Sequence, residues 1–410
     1  MSHKSIPITP MPDAKAALVP KLRFPEFRGR PAWGSAKVDE LVDTVTPPKK
    51  LPTSNYSTKG DFPIVDQSKS DICGWTDDHE ALVQDGFPLL VFGDHTCILK
   101  LIERPFAQGA DGIKILRARS KTSIPYIYQY LSYKPVAIEE YKRHYSVLKE
   151  KLVFFPNPST GEQQKIAACL SSLDELITAQ ARKVDALKTH KKGLMQRLFP
   201  RDGETQPRLR LPEFRGTGDW KLKTIGQLGE VVTGSTPSTV KPEYYGGNRL
   251  FVSPADISDA RFVDKTNTTL TELGFLETRR IKANSVLFVC IGSTIGKVAQ
   301  NKQECATNQQ INAVVPNPGH SDGFVYYALS DLSDKISNIA GKQAVPIVNK
   351  SLFSSVELVV PNPPEQKRIA SLLSSIDETA FSEGQRLEAL KSHKKGLMQQ
   401  LFPAPAEVVA

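Results

Sequence analysis

GEQQKIAACLSSLDELITAQARKVDALKTHKKGLMQRLFP, residues 161–200, returns almost intact as EQKRIASLLSSIDETAFSEGQRLEALKSHKKGLMQQLFP at 365–403. Aligning Glu162 with Glu365 sets an offset of 365 − 162 = 203, at which Ile166/Ile369, Asp174/Asp377, Glu175/Glu378, His190/His393 and the run KKGLMQ coincide. A second phrase precedes each copy. KLRFPEFRG starts at Lys21 and RLRLPEFRG at Arg208, 208 − 21 = 187 apart, an offset that Trp33 and Trp220 share. The chain is therefore a tandem duplication whose second half holds 203 − 187 = 16 extra residues between its repeated phrases.

Within the repeated stretch, apolar side chains recur at alternating spacings of four and three. The seam comprises Ile166, Leu170, Leu173, Ile177, Val184, Leu187, Leu194 and Leu198, interrupted by Gln180 and Lys191. The second copy offers Ile369, Leu373, Ile376, Leu387, Leu390, Leu397 and Leu401, with Ala380, Glu383 and Lys394 at the remaining positions. Such a pattern over about five heptads predicts a coiled-coil seam and not a helix lying on a sheet. If the two helices pair antiparallel, Glu383 is placed to meet a lysine across the seam and fix register. Both helices end at Leu-Phe-Pro, where proline forbids continuation.

What lies between the repeats is globular. Residues 21–155 and 208–360 are mixed α/β in pattern, with strand-like runs such as PLLVFGD at 88–94, CILKLIE at 97–103, SVLFVCI at 285–291 and INAVVP at 311–316. Helical stretches are predicted over 124–144 and 323–339. The expected order is a disordered leader (1–20), a first domain (21–155), a first helix (156–200), a polar linker (201–207), a second domain (208–360), a second helix (361–403) and a tail (404–410). The helices are nearly identical and the domains divergent, which suits a duplicated scaffold that presents two different readers. The fold class is α/β (α+β): two globular domains joined by two long helices packed as an antiparallel coiled coil with pseudo-two-fold internal duplication.

Charge and composition narrow the partner. Fifty-three Lys and Arg against 44 Asp and Glu leave a formal +9, which favours an anionic partner, with nucleic acid the foremost candidate. The five cysteines are scattered and odd in number, giving neither a disulfide framework nor a zinc-ligand pattern, so the protein reads as cytoplasmic. Its apolar runs are strand length, so membrane function is not expected.

Motifs that could carry catalysis have bland readings. Asn362-Pro363-Pro364 has the NPP core of adenine methyltransferases, but the aromatic fourth residue that stacks on a flipped base is replaced by Glu365. The segment reads as the hinge from domain to helix. IGSTIGK at 291–297 is one residue short of a phosphate-binding loop and lacks its Ser/Thr metal ligand, so a strand–turn–strand with close-approach glycines is the better account. The triplets Glu140-Tyr141-Lys142 and Glu365-Gln366-Lys367 have no positioned upstream Asp for a metal nuclease. No metal site and no catalytic constellation is expected.

The sequence resembles the specificity subunit of type I restriction–modification systems. PNPxxxEQQKIAxxLSSLDE at 156–175, PNPPEQKRIASLLSSIDE at 361–378, KKGLMQxLFP closing both helices, FGDHT at 92–96, VSPADI at 252–257, GSTIGKVA at 292–299 and TNQQIN at 307–312 carry the resemblance, which spans 21–403. It implies that each globular segment is a target-recognition domain on double-stranded DNA and that the helices are a spacer. It also implies two modification (methyltransferase) subunits and restriction (translocase/nuclease) subunits as partners. S-adenosylmethionine, ATP and Mg are then expected on those partners and no cofactor in this chain, which is not itself an enzyme. The specificity subunit of a related fused restriction/methylation enzyme, or a coiled-coil scaffold with no DNA role, are the alternatives. A helix of about 38 residues at ~1.5 Å each is roughly 57 Å long, so the target is expected to be bipartite, asymmetric and gapped.

Polar tips beside predicted strands are the candidate DNA contacts. In the first domain they are Gln67, Lys69, His95, Arg143, His144, Tyr145 and Lys149. In the second they are Ser235, Thr236, Ser253, Asp256, Ser293, Thr294, Lys297, Asn308, Gln309 and Lys350.

Overall fold

The computed structural model describes residues 18–110, 112–138, 143–340 and 346–403. The tail expected at 404–410 and most of the expected leader lie outside these residues. The chain divides into two compact units, 1–179 with 387–410, and 180–386. Each long helix is shared: its first half belongs to one unit and its second half to the other.

Unit 1 contains β1 (Gly34–Lys37), α1 (Val38–Leu41), β2 (Val42–Val45), β3 (Phe62–Val65), β4 (Gly74–Thr76), β5 (Leu82–Val83), β6 (Leu89–Gly93), β7 (Leu99–Ile102), β8 (Phe106–Gln108), β9 (Ile113–Ala118), α2 (Ile124–Tyr133), α3 (Tyr145–Glu150) and β10 (Leu152–Phe155). The helix α4 (Glu162–Leu198) follows and runs on into unit 2. Unit 2 adds β11 (Lys221–Thr224), α5 (Ile225–Leu228), β12 (Gly229–Thr233), β13 (Tyr245–Val252), β14 (Phe262–Val263), β15 (Thr268–Leu270), α6 (Glu272–Leu276), β16 (Val286–Val289), β17 (Val298–Asn301), β18 (Ala306–Thr307) and β19 (Ile311–Pro316). It closes with α7 (Asp322–Asp331), α8 (Ser333–Ile339), α9 (Lys350–Ser355), β20 (Glu357–Val360) and α10 (Pro363–Leu401).

The two globular parts share one topology despite their sequences. The main sheet runs β2-β9-β6-β7 in unit 1 and β12-β19-β16-β17-β14 in unit 2. Beside it, β3 pairs parallel with β8, and β13 with β18. An antiparallel pair, β1–β10 or β11–β20, brackets each domain. Alternation explains the pairing: Leu90, Phe92 and Leu116 of the main sheet in unit 1 face the α2 side, whereas Leu89, Val91, Ile113 and Ile115 face a second core with Val65 and Phe106.

Two expectations change. The helix predicted over 124–144 stops at Tyr133, because Lys134 precedes Pro135 and the residue before proline is pushed out of the α region; residues 139–142 lie outside the described residues. The helix predicted over 323–339 begins at Asp322 and breaks at Leu332 into α7 and α8. At the leader, Leu18 is already structured: its carbonyl accepts the Trp33 amide at 2.8 Å, and its side chain packs against the core.

No predicted seam position on either helix is exposed, while nearly all intervening positions of the middle turns are. Within unit 2, Gln180 and Lys183 meet Glu383 while Lys191 meets Asp377 at 2.6 Å, so numbering rises on one helix as it falls on the other, the antiparallel sense. Within unit 1, Asp174 meets Lys394 at 2.5 Å. Asp174/Asp377 and Lys191/Lys394 are repeat mates at offset 203, so the same pair forms twice. Glu383 does meet a lysine, Lys183, and also accepts from Gln180 Nε2 at 2.6 Å.

The repeated phrases touch one another, which explains why both recur. Leu22 N donates to Gln400 O at 2.9 Å in unit 1, and Leu209 N to Arg197 O at 2.8 Å in unit 2, so each KLRFPEFRG-type phrase satisfies an orphan carbonyl at a helix C-terminus. The closing phenylalanines are wedges. Phe402 packs against Tyr126, Tyr130 and Tyr133 at 5.2–5.8 Å, and Phe199 against Phe324 at 5.6 Å and Trp220 at 6.4 Å.

Candidate nucleic-acid interface

In unit 1 the turn joining β6 to β7 organises the candidates. Asp94 is buried; its carbonyl accepts the His144 amide at 2.8 Å, and its carboxylate accepts the Tyr145 amide at 2.8 Å. Thr96 Oγ1 donates to Gln67 O at 2.9 Å, and the His95 amide approaches Gln67 Oε1 at 3.4 Å. Gln67, Lys69, His95, Arg143 and Tyr145 therefore share one neighbourhood, with Lys69, His95 and Arg143 exposed. Lys114 lies 5.5 Å over the Tyr145 ring and adds a cation that the sequence reading missed.

Two candidates of this unit are corrected. His144 is 2% exposed and its Nδ1 lies 3.1 Å from the Asp94 carbonyl, so it braces the turn and is not presented at the surface. Lys149 pairs with Asp39 at 2.9 Å, which holds its ammonium pKa above the ordinary value and gives it a partner on α1.

In unit 2 the equivalent strand ends gather the second set. Ser235 N donates to Thr307 O at 2.9 Å, Asn308 N to Val252 O at 3.1 Å, and Cys290 N to Gln310 O at 2.8 Å. These bonds bring the loops at 234–236, 253–256, 291–297 and 307–310 to one end of the sheet. There Thr236 donates to Gln309 Oε1 at 2.7 Å, leaving the Gln309 amide nitrogen on an exposed residue. Arg279, absent from the sequence candidates, is held beside them: its amide donates to Ser235 Oγ at 2.8 Å and its Nη1 to Thr233 O at 3.0 Å. Its signal was the basic pair at 279–280 just past α6. Ser293 and Thr294 sit on the β16–β17 turn, where Gly292 (φ +98°) and Gly296 (φ +94°) adopt the left-handed region that glycine permits. This is the strand–turn–strand expected of IGSTIGK.

Four candidates of unit 2 are bonded to their own or a neighbouring loop or set apart. Asp256 accepts from Ser253 N, Ser253 Oγ, Asn267 N and Asn267 Nδ2 at 2.6–2.8 Å, so its carboxylate is spent on shaping its own loop and draws Ser253 Oγ into that task. Lys297 Nζ donates to Ile257 O at 2.9 Å. Lys350 is exposed at the start of α9, whose N-cap Asn349 accepts the Leu352 amide at 2.9 Å.

The junction from domain to helix is a buried lock and not a hinge. Arg23 Nε and Nη2 donate to Glu162 at 2.7 and 2.6 Å; Arg210 does the same to Glu365 at 3.0 and 2.8 Å. Both carboxylates are 1% exposed. Gln163 Nε2 donates to Pro156 O and its Oε1 accepts the Ser123 amide, and Gln366 repeats this with Pro361 O and Ser321 N, all at 2.9–3.1 Å. The Asn of each NP motif caps: Asn362 Oδ1 accepts Glu365 N at 2.9 Å, and Asn157 Oδ1 accepts Ser159 N at 3.0 Å.

Groups suited to chemistry are scarce at these sites. Burial pushes the Cys73 thiol up to about 11 and those of Cys290 and Cys305 to about 12, so these three stay protonated at neutral pH. Among the described residues no cluster of three or more His, Cys, Asp or Glu could hold a metal ion, and no helix is long and apolar enough to cross a membrane.

Two divergent loop clusters, each locked to near-identical helices, define a duplicated two-domain architecture. Comparison with known proteins agrees. Residues 217–392 match the type I restriction modification DNA specificity domain. A type I restriction enzyme specificity subunit of Methanocaldococcus jannaschii is 30% identical over 189 residues, 45% of this chain and 44% of that one. The chain thus spans under half the length of that relative. One from Escherichia coli is 27% identical over 356 residues, covering 82% of this chain and 85% of its own. The crystal structure of a type I restriction–modification S subunit from M. genitalium superposes with a TM-score of 0.68 at 17% identity, over 94% of this chain and all of that one, which shows the same fold. The likeness to a specificity domain thus lies in residues 217–392, and the shared fold extends over nearly the whole chain.

Proposed function

We propose that the chain binds double-stranded DNA and reads a bipartite, asymmetric target, the loop cluster of each unit reading one half. The observation that carries this is the contrast within the duplication. The helices, locks and closing wedges are nearly identical in the two halves, whereas the loops at equivalent strand ends differ in almost every polar side chain. Base edges in the major groove are distinguished by the pattern of donors and acceptors offered to them, so different loops imply different half-sites. The excess of basic over acidic residues supplies the sequence-independent attraction to phosphate.

In this reading the chain is non-catalytic and cytoplasmic. Its helices set the gap between half-sites and dock two methyltransferase subunits, while restriction subunits complete the complex. S-adenosylmethionine, ATP and Mg belong to those partners. Methylome sequencing of cells expressing the chain with its cognate modification subunit tests the proposal. A two-part asymmetric motif with a fixed gap is expected, and a single contiguous or palindromic motif rejects it.

A further inference from the structure

Lys100 breaks the pattern of its strand. In β7, an edge strand of the main sheet, it is the most buried of the four residues, 5% exposed, where an apolar side chain would ordinarily stand. An ammonium taken out of water must be hydrogen-bonded. Its hydrogen-bond partners are main-chain carbonyls: Nζ donates to Asp66 O at 2.8 Å and to Ser70 O at 2.5 Å. These carbonyls belong to the loop after β3 that carries Gln67 and Lys69. The intervening Gln67 carbonyl is held by Thr96 Oγ1 at 2.9 Å, from the same β6–β7 hairpin that bears Lys100. The Asp66 side chain tightens the loop further by accepting the Ser68 amide at 2.8 Å.

Unit 2 repeats the carbonyl contact from unrelated sequence, with a lysine that is itself exposed. Lys297, just before β17 and so on the matching strand, reaches Ile257 O at 2.9 Å and lies 3.5 Å from Pro254 O, both in the loop that follows β13. The two loops occupy equivalent places, since β3 and β13 are topological mates.

We propose that Lys100 and Lys297 are positioning residues for sequence recognition: each fixes, through main-chain carbonyls, the loop that presents one half-site's reading side chains, and neither touches DNA. The inference rests on the proposed function. Charge-assisted bonds to successive carbonyls suit this role, because they order a polar loop without a long side-chain network and, at Lys100, cannot be given up without stranding a buried cation. Lysine serves because a flexible four-carbon stem brings a compact three-donor head to carbonyls on either side.

The test uses the full chain co-expressed with its methyltransferase subunit and a pool of randomised DNA duplexes, with selected sequences read at both half-sites. The variants are Lys100→Met, Lys100→Arg, Lys297→Met and the double variant Gln67→Ala/Lys69→Ala. Amide exchange of residues 66–71 is followed in the absence of DNA. Lys100→Met is expected to speed that exchange at least ten-fold, with the rest of unit 1 unchanged, and to lose about ten-fold discrimination at one half-site only. Lys297→Met should affect the other half-site, and Lys100→Arg should restore part of what Lys100→Met loses. The salt dependence of binding should keep its slope. A slope lowered by about 0.9 with base preferences intact would mean a direct phosphate contact and overturn the proposal. Unchanged selection by Lys100→Met, where Gln67→Ala/Lys69→Ala alters it, would show that the loop reads without this lysine. Unchanged selection by both would instead remove the loop from the proposed reading surface and the inference with it. If Lys100→Met fails to fold, Lys297→Met decides on the same readouts.

Discussion

Replacing Glu365 by leucine should unfold unit 2 locally at a cost set by two effects that the structure separates. The carboxylate is 1% exposed and accepts three bonds, from Arg210 Nε at 3.0 Å, Arg210 Nη2 at 2.8 Å and Trp220 Nε1 at 3.3 Å. Arg210 is itself only 9% exposed, although its Nη1 and Nη2 also reach Gly218 O and Thr217 Oγ1, both at 2.7 Å. Leucine leaves the guanidinium buried with no counter-charge, and breaking such a pair from one side costs about 3–5 kcal/mol. The double variant Arg210→Met/Glu365→Leu removes both charges and should recover most of that loss, because a buried pair is worth little over a well-packed apolar one.

The duplication supplies an internal control. Glu162 makes the same bidentate contact with Arg23, but Trp33 Nε1 has no hydrogen-bond partner among the described residues, whereas its mate Trp220 bonds Glu365. Glu162→Leu should therefore cost less than Glu365→Leu by about one hydrogen bond, ~1 kcal/mol. Urea unfolding followed by hydrogen exchange of α2 for unit 1 and α7 for unit 2 reads the two costs apart. The reasoning is refuted if either single variant loses under 1 kcal/mol, or if the double variant is no better than Glu365→Leu.

Other expectations follow from specific contacts. Gly296→Ala should destabilise unit 2 by about 1–3 kcal/mol, since φ is +94° and a Cβ would meet Ser337 Oγ at 2.3 Å; thermal unfolding measures it. His320 has its pKa lowered by burial and then by Lys223, whose Nζ lies 3.1 Å from Nε2. The unfolded state therefore binds more protons around pH 6.5 and just below, so unit 2 should lose stability as pH falls through that range, and His320→Gln should flatten the pH dependence of urea midpoints. Exchanging Lys183 and Glu383 should shift stability by less than about 1 kcal/mol, because Lys183 is 54% exposed, whereas Lys191→Met should cost more by stranding Asp377. Inserting one helical turn after Ala179 should lengthen the gap in the methylated motif and leave both half-sites unchanged.

The helices were legible because their information is local and stated twice. A seam needs only spacing, and the recurrence at offset 203 showed which positions matter before any contact was seen, down to Lys191 and Lys394. The partners of those lysines, Asp377 and Asp174, coincide at the same offset but carry no local sign of the pairing, since antiparallel packing joins residues some 200 positions apart. The shared topology of the domains was hidden for a related reason. A main-sheet strand such as β9 asks only for alternation, which IKILRA and INAVVP satisfy with almost no common residue. Polar side chains at strand ends were the least legible, because the same residue types that suit base edges also suit the anchoring of tight loops. His144, Asp256 and Lys297 proved to be anchors, and so did Lys100, buried in a strand that read as apolar. A loop that must present donors to a base edge cannot leave its own backbone loose, so part of its polar content is spent inward. The division between inward and outward is fixed by carbonyl positions that depend on the whole sheet.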